Sequence, residues 1–309
     1  MTPAAITGLS AFPLTPVDET SASGIDERAY RRLIGRLAQG EVDTITSLGS
    51  TGSYAYFDRD ERRRAVEMAV AEAGPVPVLA GIGATRTRDV LRHAEDAQAA
   101  GARALLLSAV SYQPLTSAEV FGLFEEVDAA SSVPIIVYDN PGTTRFTFTD
   151  ELHGRIAALP HVTAIKIPPV EGGSAAVAQR VTSLRAHIPS DVSIGTSGDG
   201  FAADALIAGC DGWYSVLAGI VPAPCRAIVD AVNAGNAQAA RDLSNRLQPL
   251  WDLVAAHGSY RVTSALAEEL RLVDHPNLPR PVRGLDDATR TKLREVVARL
   301  RDDDVLGAP

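Results

Sequence analysis

Short apolar runs rich in β-branched residues alternate along the chain with longer stretches whose apolar residues return every three or four positions. The runs are ITGLSAF, VDTITSLG, VPVLAGIG, ARALLLSAV, VPIIVYDNP, HVTAIKIPP, DVSIGTSG and CDGWYSV. Between them, Tyr30, Leu33, Ile34 and Leu37 fall at i, i+3, i+4 and i+7, and Val120, Leu123, Phe124 and Val127 repeat that spacing, which is the pattern of a helix with one apolar face. Gly40, Gly74 and Gly101 close such stretches just before the next run, as C-terminal helix caps do. The run ends, from Gly49 through Gly81, Ala109, Tyr138 and Lys166 to Thr196, recur roughly every 30 residues, the length of one strand, one helix and two short loops. Runs that are apolar almost without alternation predict strands buried on both faces, and hence a parallel sheet under a layer of helices. Eight such units predict an α/β fold of the closed (β/α)8, or TIM, barrel type. An open doubly wound sheet is the competitor, but it does not call for eight regular units, and no G-x-G-x-x-G follows the first run.

After Ser215 more chain remains than one barrel helix uses. VPAPCRAIVDAVNAG, NAQAARDLSNRLQPLWDLVAAHG, SYRVTSALAEEL and LDDATRTKLREVVARL read as helices, the last three forming a C-terminal helical extension. The predicted division is residues 1–232 as the barrel carrying the active site and residues 233–309 as the helical domain.

Composition narrows the function classes. At 46% hydrophobic and 22% charged residues the chain has the make-up of an ordinary globular protein. A net charge of -9 speaks against nucleic acid or an anionic membrane surface, both of which need basic patches. No apolar run approaches the ~18 residues of a membrane span, and MTPAAITGLSAF has no basic stretch ahead of its apolar one, so no secretory leader is expected. Cys210 and Cys225 are too few and too far apart for a disulfide framework or a zinc knuckle, which suits a reducing cytoplasm.

The basic residues are unevenly divided: 27 are arginine, and the only lysines are Lys166 and Lys292. Lys292 lies on a polar helix face in TRTKLREVVARL, whereas Lys166 is set among Ala164, Ile165 and Ile167 with Pro168 ending the strand. Lysine is rarely buried without a partner. Arginine in such a place would keep its charge, whereas a desolvated lysine gives up its proton and becomes a nucleophile able to form a Schiff base with a keto carbon. The plainer alternative is a barrel-lining lysine in a structural ion pair. In a barrel, reactive residues sit at the carboxyl ends of strands, and there the fifth run places Tyr138 level with Lys166. A phenol in that position can move a proton, or can simply cap the core with its hydroxyl on a backbone acceptor. The second run ends in Gly49-Ser50-Thr51-Gly52, a turn whose N–H groups and two hydroxyls suit a carboxylate, though the motif alone is weak. Tyr112 follows the fourth run in a loop.

Together these motifs resemble the family of pyruvate-dependent class I aldolases that includes dihydrodipicolinate synthase and N-acetylneuraminate lyase. The likeness runs over nearly the whole chain, from about Thr15-Pro16 to Ser215-Val216 with the tail beyond. The family's G-T-T-G-E or G-S-T-G-E turn matches Gly49-Ser50-Thr51-Gly52-Ser53, its Y-N-x-P matches Tyr138-Asp139-Asn140-Pro141, and its I-K matches Ile165-Lys166. Its S-G-D and G-x-x-S-V match Ser197-Gly198-Asp199 and Gly212-Trp213-Tyr214-Ser215-Val216. The resemblance implies a Schiff base between Lys166 and pyruvate or another 2-keto acid, with Tyr138 shuttling protons and Thr51 linking it to Tyr112. In the synthase branch the tyrosine matching Tyr112 comes across a dimer interface. Ser50 and Thr51 would receive the keto-acid carboxylate, Gly198 would let backbone approach the substrate, and Tyr214 would face the pocket. The chemistry implied uses the covalent Schiff base on Lys166 and no metal or other cofactor. The partners implied are a small 2-keto acid, an aldehyde, and further copies of the chain in a homodimer or homotetramer.

This sequence departs from the family pattern in substrate recognition. Thr143 stands where the synthase has a carboxylate-binding arginine, and Arg145 comes two positions later. Ser53 replaces the turn's glutamate, Val110 and Ser111 replace a proline and an aromatic residue, and Tyr214 replaces a smaller aliphatic one. The expected activity is therefore a Schiff-base aldolase or lyase that makes or breaks a C–C bond through a lysine-bound enamine, with the second substrate left open. Three other readings compete. A metal-dependent aldolase would need converging ligands, but His93, His153, His161, His187, His257 and His275 show no paired spacing. A phosphate cradle in GTSGDGFAADALIAG would have Asp199 in its middle. A non-catalytic keto-acid-binding or regulatory barrel is compatible with the altered turn.

Overall fold

A computed structural model describes residues 6–306 of the chain; residues 1–5, where the leader reading begins, and 307–309 lie outside the described part. The predicted strands form a closed parallel barrel of β1 (Gly8–Ala11), β2 (Thr44–Ser47), β3 (Val78–Gly81), β4 (Ala104–Ser108), β5 (Ile135–Tyr138), β6 (Val162–Ile167), β7 (Ser193–Thr196) and β8 (Gly212–Ser215). Each strand pairs with the next, and β8 closes on β1 through Leu9 opposite Trp213 and Ala11 opposite Ser215.

The unbroken hydrophobicity of the runs follows from two cores. Alternate side chains such as Leu9, Ile45, Leu105, Val137, Ile165 and Ile194 pack outward under the helices. The intervening positions, among them Leu79, Leu106, Ile136, Tyr138, Ala164 and Tyr214, meet inside the barrel with Phe12. With both faces buried, a polar residue in a strand is an exception that needs a reason.

The helical layer comprises α1 (Glu27–Gln39), α2 (Arg59–Glu72), α3 (Thr87–Ala99), α4 (Ser117–Ala130), the single turn α5 (Pro141–Thr144), α6 (Asp150–Ala157), α7 (Gly173–Arg185), α8 (Ala202–Ile207) and α9 (Pro222–Asn233). Side chains start several of them. Asp58 with Glu61 at α2 and Thr116 with Glu119 at α4 form reciprocal capping boxes, and each cap contributes about 1 kcal/mol. Beyond the barrel come α10 (Ala237–Arg246), α11 (Gln248–His257), α12 (Ser259–Glu269) and α13 (Asp287–Asp302).

The structure differs from the sequence reading in one of these helices. The stretch from Asn236 to His257, read as continuous, breaks at Leu247. Pro249 enters the first turn of α11, where its missing N–H costs nothing; inside a longer helix its ring would strike the carbonyl one turn back. The break turns α11 and α12 toward the barrel rim. Trp251 on α11 packs on Gly200 beyond β7, and Tyr260 on α12 hydrogen-bonds Ser53 beyond β2. No helix among the described residues is long and apolar enough to cross a membrane.

Candidate active site

Strand register brings the chemistry together. Tyr138 on β5 stands opposite Lys166 on β6 and Ser108 on β4, and Lys166 stands opposite Gly195 on β7. All four side-chain positions point into the barrel near its carboxyl end. Lys166 is buried, with its Nζ 4.0 Å from the centre of the Tyr138 ring, 4.3 Å from that of Phe12 and 5.8 Å from that of Tyr214. It makes no salt bridge among the described residues, unlike the structural ion pair considered as the plainer reading. Burial brings its pKa down from 10.5 to about 7, opposed in part by the negative charge of Asp199. A substantial fraction of the amine is therefore neutral, and nucleophilic, near neutral pH.

Room for the ring of Tyr214 is made on the neighbouring strand. A Cβ on Gly195 would lie 2.3 Å from that ring, so a side chain there would displace it. Tyr214 meets Phe12 edge-on at 5.8 Å, and its hydroxyl is buried without a hydrogen-bond partner. Its ring thus forms one wall around Lys166.

The hydroxyl that reaches Tyr138 is that of Ser50. Ser50 Oγ lies 2.9 Å from the phenol oxygen, whereas Thr51, expected as the link, is buried without a side-chain hydrogen bond to Tyr138. The turn dictates this choice: Leu48 and Ser53 both adopt left-handed backbone conformations, at φ 58° and 61°, and the chain between them curls so that Ser50 faces the phenol. Asn140 supplies a second partner, its Nδ2 donating to the phenol oxygen at 2.7 Å. Burial raises the pKa of Tyr138, and its hydrogen bonds with Ser50 and Asn140 oppose that rise.

The remaining expected residues are spread around this centre. Gly198 has φ +82°, and a Cβ there would meet Pro169 at 2.6 Å, so both conformation and close approach require glycine. Tyr112 is 93% exposed, on the loop after β4. Thr143 and Arg145 are exposed on and just after α5, and Arg145 closes that turn with φ 58°.

Asp199, the residue set against a phosphate cradle, turns to the segment at and beyond β8. Its carboxylate accepts from Leu217 N at 2.8 Å, Val216 N at 3.2 Å and Trp213 Nε1 at 3.0 Å. The backbone donors beyond β8 are already occupied by an internal anion. Sequence reasoning passed over Asn140, the variable position of its motif, and also a buried pair on the outer side of β5. There Asp139 Oδ2 lies 3.5 Å from His153 Nε2, and His153 stacks on Phe148. Among the described residues no three His, Cys, Asp or Glu side chains converge as a metal-binding set.

A parallel barrel that buries an uncompensated lysine at the end of its sixth strand, beside a hydrogen-bonded tyrosine, has the equipment of a Schiff-base aldolase. The chain belongs to the dihydrodipicolinate synthetase family, whose profile it matches over residues 5–300. It is similar to the 4-hydroxy-tetrahydrodipicolinate synthase of Salinibacter ruber (strain DSM 13855 / M31), with 33% identity over 244 residues that make up 78% of each protein. The enzyme of the same name from Methanothrix thermoacetophila is 28% identical over 303 residues, 94% of this chain and 96% of the relative. Among solved structures, a dihydrodipicolinate synthase from Agrobacterium tumefaciens str. C58 superposes with a TM-score of 0.91 at 46% identity, covering 95% of this chain and 98% of that one. The motif resemblance and the barrel expected from the sequence both hold.

Proposed function

We propose that the protein is a class I aldolase or lyase that binds pyruvate or another 2-keto acid covalently on Lys166. The observation that carries this reading is the amine itself, buried beside a tyrosine without an ion pair and with its pKa brought down to about 7. In the proposed reaction Nζ attacks C2 of the keto acid. Tyr138 gives its proton to the carbinolamine hydroxyl, which leaves as water. The resulting iminium accepts the electron pair of a bond to the adjacent carbon, giving an enamine; reversal with an aldehyde makes that bond. The Thr51 hydroxyl and the backbone donors of the Ser50–Thr51 turn receive the keto-acid carboxylate, Gly198 lets the chain approach it, and Tyr214 bounds the pocket.

Membership of the family favours catalysis over a non-catalytic binding role. With Thr143 in place of a basic residue and Arg145 exposed, the second substrate is open. The site belongs to the proposed barrel domain, residues 1–232; the proposed helical domain, residues 233–309, supplies Trp251 and Tyr260 to its rim. Tyr112, exposed on the loop after β4, suits a contact with another copy, and a cytoplasmic homodimer or homotetramer is the proposed working form.

The test is to incubate the protein with pyruvate and borohydride and map the product by peptide mass spectrometry. A reduced adduct on Lys166 is expected. Absence of an adduct with pyruvate and with a panel of 2-keto acids overturns the assignment, and an aldehyde screen on the trapped-competent protein then identifies the second substrate.

A further inference from the structure

The phenol of Tyr138 has two side-chain neighbours of different chemical kinds. Ser50 Oγ can donate or accept, whereas the Asn140 amide nitrogen only donates. A neutral phenol flanked this way accepts from Asn140 and turns its own proton toward Ser50. Once the phenol has lost its proton, its oxygen accepts from both. The amide bond is thus made in both states, and it becomes a charge-assisted bond in the phenolate, where such bonds are roughly twice as strong.

Asn140 is fixed for this task by its backbone. Its carbonyl receives the N–H groups of Thr143 and Thr144 at 3.0 Å and the Thr144 hydroxyl at 3.0 Å, and Pro141 follows it at the start of α5. On its other side, Asp139 N donates to Lys166 O at 3.0 Å, tying the segment to the strand that carries the amine. The side chain therefore projects back over Tyr138 from an anchored turn.

We propose that Asn140 is a positioning residue that stabilises the Tyr138 phenolate, acting through Tyr138 and not on the substrate. This rests on the Schiff-base reading above. When Tyr138 protonates the carbinolamine hydroxyl and water departs, the charge left on the phenolate is held by the Asn140 N–H and the Ser50 O–H. In C–C cleavage the phenolate then takes the proton of the substrate hydroxyl: that O–H bond breaks, the tyrosine O–H forms, a C=O forms at the departing aldehyde, and the C–C electron pair moves into the iminium. The same chain thereby supplies both partners of its catalytic phenol.

The test compares Asn140→Leu and the near-isosteric Asn140→Asp with the parent, each also in a Tyr138→Phe background, after borohydride trapping has shown the parent to form its adduct. Asn140→Leu is expected to lower kcat by about 10–10²-fold with KM for the keto acid little changed. It is also expected to move the pH limb that Tyr138→Phe abolishes upward by about one pH unit, since one unit is a tenfold change in equilibrium. Asn140→Asp, which sets an acceptor and a negative charge against the phenolate, moves that limb further. In the Tyr138→Phe background neither variant lowers kcat again. Equal slowing in both backgrounds, or a limb that stays in place in Asn140→Asp, overturns the proposal. A parent that forms no adduct overturns instead the Schiff-base reading on which it rests.

Discussion

Tyr138 and Asp139 are consecutive residues that point to opposite faces of the barrel wall, and both faces bury ionisable groups. Inside, Tyr138 and Lys166 are hemmed in by aromatic rings, and the phenol shares a hydrogen bond with Ser50 and accepts one from Asn140. Outside, Asp139 and His153 lie beneath the helices, with Asp139 Oδ1 and both imidazole nitrogens lacking hydrogen-bond partners. Burial drives each group toward its neutral form: Lys166 down to about 7, Asp139 up to about 7 and His153 down to about 4. The lesson is that a displaced pKa does not by itself make a site. The inner pair lies at the carboxyl end of the barrel, where substrates bind, while the outer pair is sealed between sheet and helix.

The largest effects should follow from the inner side. Lys166→Ala removes the nucleophile, so it should eliminate the borohydride adduct and lower turnover by more than about 10⁴-fold, the scale on which loss of a covalent nucleophile acts. Retention of an adduct in that variant would place the reactive amine elsewhere. Acidity gives a finer test on the parent protein. An ammonium cannot attack, so adduct formation should rise with pH, pass half its maximum near pH 7 and level off above; a midpoint near 10 would mean that the amine is not desolvated. Next, Tyr138→Phe should leave keto-acid binding in place and slow turnover by about 10²–10⁴-fold, the range for a positioned acid–base group. Unchanged turnover would make Tyr138 a core residue and erase the functional contrast between the two faces.

Much of this contrast was legible in the sequence, for identifiable reasons. The barrel follows from hydrophobic period, because two-sided burial suppresses alternation in every strand. Lys166 stands out because a chain with 27 arginines keeps a lysine inside an apolar run, and only one of the two residues can be neutral. Tyr138 follows from strand register. Partners set by local backbone were less visible. Whether Ser50 or Thr51 faces the phenol depends on the left-handed turns at Leu48 and Ser53, and nothing in the residue types ranks one hydroxyl above the other. Asn140 is reached through space across a turn, and Asp139 meets His153 only because α6 packs on β6, beside β5. The break between α10 and α11 was signalled by Pro249, but strong apolar periodicity on both sides masked it.

The outer face gives the smallest effect, one of stability and not of turnover. With its pKa raised from 3.8 to about 7 by burial, Asp139 stabilises the fold most below pH 3.8 and loses that contribution as pH rises through 7. His153 runs oppositely: lowered from 6.5 to about 4, it contributes fully above pH 6.5 and loses that contribution as pH falls through 4. Arg180 on α7 and Asp150 on α6 complete the charged surroundings, with Arg180 opposing the rise at Asp139 and Asp150 opposing the fall at His153. Asn at position 139 keeps the shape and cannot ionise. Asp139→Asn should therefore gain stability relative to the parent as pH increases from 4 to 7, with a constant difference above, while Lys166 still forms its adduct. Denaturant melts across that range decide the matter. A difference between variant and parent that stays constant from pH 4 to 7 would show that the Asp139 carboxyl is ionised under the helix layer throughout that range. The two faces of β5 would then differ in the charge state they impose as well as in access to substrate.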